Sequence, residues 1–239
     1  MVDIHKTNCT TSGAYKLPTI ERKIKVPPNC TRMVINMLGG ASSASFDGKS
    51  VIGGACGGNV IAIFNAPSVN DNIVVKLGLG GPFKISDNND IVNANPGQDS
   101  ILSVNGETVA IAKGACSVSG ASGGDTTTFE NKYCTFKTSR GQDGTVGKRG
   151  MTSYGDAQLQ SPDVDFFELS DYDGNRGNGG LGVEFHGAKY FGAGSHGYAM
   201  SWADHFYFYC FKCYKEFYTT ESFEEHECCN DNGKCLSVQ

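Results

Sequence analysis

Cys210 and Cys213 are separated by two residues, His226 follows after twelve more, and Cys228 and Cys229 come just behind the histidine. Thiolate and imidazole are what zinc takes in tetrahedral structural sites, where two thiols on one tight turn face ligands from a second element. The usual gap of roughly three to five residues after the histidine would land on Asn230, Asp231 or Asn232, none of which carries a thiol or an imidazole. Cys229 is preferred to Cys228 as fourth ligand, because ligands on one helix face need about one turn between them. Cys235 would serve only if the chain folds back.

The other chemical patterns lack their context. Residues 177–182 spell GNGGLG, but a dinucleotide site needs that pattern between a buried strand and a helix, and here it lies between DYDGNR and VEFHG. Asp171, Asp173 and Asn175 offer oxygens for calcium, yet the sixth and twelfth loop positions, Gly and Glu in an EF-hand, are Arg176 and Gly182. His186, His196 and His205 stand alone, and no grouping of Ser, His and acid or pair of carboxylates supports an enzyme. Asn8 and Asn29 each begin an NCT sequon. Without an apolar leader in the first residues both read as coincidence, and the ten cysteines as reduced thiols.

Glycine dominates the rest. Of 32 glycines, 30 fall between Gly39 and Gly197, which divides the chain into a polar lead (1–16), a glycine-rich body (17–207) and a cysteine-rich tail (208–239). Short β-branched runs bounded by Pro, Gly or Asn predict strands at 20–26, 31–38, 59–64 and 72–79. Two alternating runs joined by Asn105-Gly106 predict a hairpin on a two-residue turn with positive φ angles. Further strands are expected around YCTFKTS, GVEFHGAKYF and GYAMSWADHFYFY, with a helical turn after Ser161. No helical period is sustained in the body, and no stretch reaches the roughly 18 apolar residues of a membrane span.

The succession of strand, glycine run, NVIAIF, VVKLGLGGPF, hairpin and FGAGSHGYAM resembles the glycine-rich β domains of phage tail-fibre tips and related virion proteins. The matching residues are Gly39, Gly40, Gly57, Gly58, Val60, Gly78, Gly80 and Gly81. Ser, Ala, Phe and Asp dilute the run here, which argues against packed polyglycine helices. The tail resembles a C2H2-type finger, since Phe208, Cys210, Cys213, Phe217, Phe223 and His226 keep its spacing of thiols, core aromatics and helical histidine. A zinc module is foreign to phage fibres, so capsid accessory proteins of large DNA viruses are the better parent group.

Together these readings predict an all-β, sandwich-like glycine-rich body with a small C-terminal ββα module that binds zinc through Cys210, Cys213, His226 and Cys229. The resemblance implies a virion structural or accessory protein without enzymatic activity, assembled in the host cytoplasm. Its partners would be other capsid or fibre subunits, homo-oligomers included. The finger's three base-reading positions fall on Thr219, Ser222 and Glu225, and the tail carries three Lys against five Glu and one Asp. With a net charge of -5 overall, duplex DNA is not an expected partner. The rival reading is a cellular zinc-finger protein that mediates protein or RNA interactions.

Overall fold

The computed structural model describes residues 4–11, 21–82, 84–86, 91–116, 122–146, 179–180, 182–185, 188–191, 193–210, 215–226, 228–229 and 235–236. In chain order the first strands are β1 (Ile4–Thr11), β2 (Glu21–Ile24), β3 (Cys30–Leu38), β4 (Ser45–Phe46), β5 (Val51–Ile52), β6 (Asn59–Asn65) and β7 (Ile73–Lys76). There follow β8 (Lys84–Ser86), β9 (Ser100–Val104), β10 (Glu107–Ala112), β11 (Thr126–Thr128), β12 (Cys134–Ser139), β13 (Gly182–Phe185) and β14 (Ala188–Phe191). The chain closes with β15 (Tyr198–Cys210), β16 (Lys215–Phe217), the single helical turn α1 (Thr220–Glu224), β17 (Cys228–Cys229) and β18 (Cys235–Leu236).

Two antiparallel sheets dominate, one in the order β1-β15-β3-β6-β12 and the other β11-β10-β9-β7-β2. Alternation sends Met33, Ile35 and Met37 of β3, with Val60, Ala62 and Phe64 of β6, onto one face. There they meet Ile73, Val75, Leu102, Val104 and Val109 of the second sheet, forming the main core. The intervening residues Val34, Leu38 and Ile61 are buried on the opposite face with Tyr198, Met200 and Trp202, which explains the nearly unbroken apolar run of β3. Asn105 and Gly106 adopt φ of 52° and 88°, the two left-handed residues of the expected turn. The expected helical turn after Ser161 lies outside the described residues.

At one end, the sandwich strands feed a second kind of core. β3 leaves into residues 39–44, β7 into 77–82, β10 into 113–116 and β12 into 140–145, while 53–58, 95–99, 122–125 and 193–197 lead into β6, β9, β11 and β15. These connections are extended segments bonded to one another through their backbones. Along the central segment, the N–H groups of Gly39, Gly40, Ala41, Ser42 and Ser43 donate in turn to the carbonyls of Gly58, Gln98, Ser195, Ala55 and Asn95, at 2.9 to 3.0 Å. The receiving segment repeats every third residue, the period of a polyproline II helix. In the other direction the carbonyls of Gly40, Ala41 and Ser42 accept from Ala115, Gly81 and Gly180. The central segment therefore has six neighbours, as in a hexagonal array of three-fold helices.

Close approach, not unusual φ, is what makes glycine necessary in this lattice. A Cβ on Gly40 would lie 2.1 Å from the Leu79 carbonyl oxygen, and one on Gly97 2.0 Å from that of Gly40. The dilution of the glycine run argued against such packing, and the structure shows why it is accommodated. Ala41, Ser42, Ser43 and Ala44 are fully buried, and their side chains are small enough to fill the gaps between segments. The Ser42 hydroxyl accepts the Ala55 N–H at 2.9 Å and that of Ser43 accepts the Asn95 N–H at 2.7 Å, so serine hydroxyls extend the bonding. Ser100 ties lattice to sheet, accepting from Gly78 N–H and donating to the Leu38 carbonyl.

Candidate functional site

The tail begins inside a body strand. The 13-residue strand β15 passes through the 207/208 position where composition changes, and its last residues pair with β16: Phe208 with Phe217, Tyr209 with Glu216 and Cys210 with Lys215. Cys210 therefore stands at the mouth of a hairpin whose four-residue connection contains Cys213, which lies outside the described residues. Helix α1 follows and packs against β15 and β16.

Local chemistry starts this helix. Thr219 caps it: its hydroxyl accepts the Ser222 N–H at 3.1 Å, while the Ser222 hydroxyl donates to the Thr219 carbonyl at 3.0 Å. Glu221 lies in the first turn, where the helix dipole favours a negative charge. His226 lies two residues beyond the end of the helix and its partly buried ring sits 4.5 Å from that of Phe217, on the strand paired with that of Cys210. Hairpin, helical turn and histidine follow one another in chain order. Thr219 and Ser222, two positions at which a DNA-reading finger would contact bases, are engaged with each other in the cap.

The fourth position differs from the sequence argument in its setting. The helix ends at Glu224, so His226 and Cys229 do not share a helix; Cys229 lies in β17, opposite Cys235 of β18. The chain does fold back here, which brings Cys235 level with Cys229 along the ribbon. Among the described residues no three His, Cys, Asp or Glu side chains gather as a metal cluster, and the Cys213 and Cys229 side chains fall outside that set.

Among the described residues, His196, His205 and several cysteines have structural settings; His186 lies outside them. His196 accepts the Gly80 N–H on Nδ1 at 2.9 Å and so joins two lattice segments. His205 is buried and pairs in register with Cys30, whose thiol is pushed up chiefly by burial and donates to the Arg32 carbonyl. Burial pushes the Cys134 thiol up to about 12, whereas Cys116 is exposed. Of GNGGLG, Gly180 donates to the Ser42 carbonyl and a Cβ on Gly179 would lie 1.8 Å from the Gly54 oxygen. Those glycines serve the lattice and lead to strand β13, not to a helix.

A family model described as a glycine-rich domain matches residues 11–205. The chain belongs to this glycine-rich domain family. No curated protein matches the chain. The family match stops at His205, the residue whose pairing with Cys30 is the last between β15 and β3; the hairpin, helix and cysteine ribbon lie beyond it.

Sequence reasoning passed over one residue at this junction. Asn29, with φ of 55°, donates its side-chain amide to the carbonyls of Phe206, at 3.3 Å, and Tyr218. The signal available was the Pro27-Pro28-Asn29 turn ahead of an apolar strand, since Asn tolerates the left-handed region.

Proposed function

We propose that the protein is a structural or accessory component of a virion, of minor capsid or fibre type. Its body packs against other capsid or fibre subunits, and its tail is held by one zinc ion on Cys210, Cys213, His226 and Cys229. The observation that carries the assembly reading is the lattice. Backbone bonds in several directions, closed over glycines that admit no side chain, give a stiff interior suited to a load-bearing part. The virion assignment itself rests on the resemblance to glycine-rich fibre and capsid proteins.

For the tail, support comes from the hairpin that opens at Cys210 and from His226 returning over Phe217. Two thiolates and an imidazole suit tetrahedral zinc, and in so small a unit the metal supplies folding free energy directly. Chemical cross-linking of intact particles tests the assembly reading. Exposed lysines of the body, such as Lys23, Lys49 and Lys76, should cross-link to other capsid or fibre subunits. Recovery of the chain from cytosol alone, cross-linked to no particle protein, would overturn it.

A further inference from the structure

The tail is spliced into the body's sheet. At Phe208 one side of β15 is taken by Ile4 of β1 and the other by Phe217 of β16. β16 therefore lies on the side of β15 that β3 occupies from Tyr198 to His205. Both strands run antiparallel to β15, so β16 and β3 form one row with a break opposite Phe206 and Tyr207. At that break Asn29, one residue before β3, donates its side-chain amide to the Phe206 carbonyl and to the carbonyl of Tyr218, where the chain leaves β16. Its left-handed backbone turns the amide into the gap.

We infer that Asn29 is a latch joining the tail to the body as one cooperative unit, so that metal bound in the tail also stabilises the start of β3. The latch stands on the hydrogen bonds alone; its coupling to metal rests on the zinc reading given under the proposed function. Removing the amide deletes these two ties between the β16 end of the row and the β2–β3 turn. Coupling of this kind is reciprocal, so a body that holds the tail must also be held by it. The Asn29 sequon fits this role poorly as a glycan acceptor, because the nitrogen that would carry the sugar is the latch donor.

Hydrogen exchange on the full chain, with and without added Zn(II), tests the inference. Asn29→Gly removes the amide and keeps the positive φ, and Asn29→Asp keeps the shape but cannot donate. In the metal-free Gly variant, amides of residues 206–210 and 215–218 should exchange about thirtyfold faster, as expected for two lost hydrogen bonds. The hairpin at 100–112 should be unchanged. In the unsubstituted chain Zn(II) should slow exchange at residues 30–33 as well as in the tail, and Asn29→Gly should abolish only the former. Unchanged exchange at 206–218 in both variants overturns the latch. One bound Zn(II) with no effect at 30–33 overturns the coupling while the zinc reading stands. Failure to bind Zn(II) defeats the zinc reading and the coupling, and the metal-free comparison still decides the latch.

Discussion

Gly80→Ala is the sharpest probe of the lattice. Its Cβ would lie 2.0 Å from the Gly194 carbonyl oxygen and 2.6 Å from that of Ser195, both backbone atoms that no rotamer change can move away. Restoring an ordinary contact of about 3.5 Å means separating the two segments by more than about 1 Å. Three hydrogen bonds cross that junction: Gly80 N–H to His196 Nδ1 at 2.9 Å, Gly194 N–H to the Gly81 carbonyl at 2.9 Å, and Gly197 N–H to the Gly78 carbonyl at 2.8 Å. Overpacking costs about 1–3 kcal/mol and each of the three broken bonds about 1 kcal/mol, so a loss of about 4–6 kcal/mol follows, a large share of a typical stability of about 5–15 kcal/mol. Gly106→Ala is the control, because that glycine has φ of 88° and nothing within 4 Å of its added Cβ. Only backbone strain acts there, about 1 kcal/mol. Urea unfolding followed through Trp202, the single and buried tryptophan, should show a midpoint lowered by about 1–2 M for Gly80→Ala. A shift no larger than that of Gly106→Ala would refute the close-packed lattice.

Other expectations follow from the tail and the thiols. Metal analysis of the purified full chain should give one zinc equivalent, lost in Cys213→Ser; a metal-free chain with a folded tail contradicts the zinc reading. A titration with duplex DNA at physiological salt should show no measurable binding, given the charge of -5 and the capping roles of Thr219 and Ser222. Submicromolar affinity with a steep salt slope would instead favour the nucleic-acid reading. Alkylation at mildly alkaline pH should label exposed Cys116 well before Cys134, whose thiol is held neutral up to about 12 by burial. Since the unfolded thiol ionises first, the Cys134 contribution to stability is complete below its ordinary value and is lost as pH rises toward about 12. Equal labelling rates for the two cysteines would contradict that burial.

Much of the sandwich was legible because its signals are local. The alternation in β9 and β10 and the Asn105-Gly106 pair between them determine a hairpin without help from distant residues. β1 was not legible: IHKTNCTT alternates weakly, and its partner is β15, almost the whole chain away. The lattice was half legible, since glycine spacing shows that backbones approach closely but not which ones. Its bonds join segments as distant as Ala41 and Ser195, and serine hydroxyls substitute for carbonyl acceptors in a way no glycine pattern records. In the tail, the thiol and aromatic spacing conveyed the hairpin and the helical turn. The helix stops after five residues, so the preference for Cys229 over Cys228 on grounds of a shared helix face has no helix to rest on; both cysteines lie in β17.

Quantitative mass spectrometry of gradient-purified virions against the cytosol of the same cells decides whether this glycine lattice serves in a particle. A virion component should show a fixed copy number relative to the major capsid protein, with the chain following particles through successive gradients. Enrichment in cytosol, with particle-associated material washed away at each step, would contradict it.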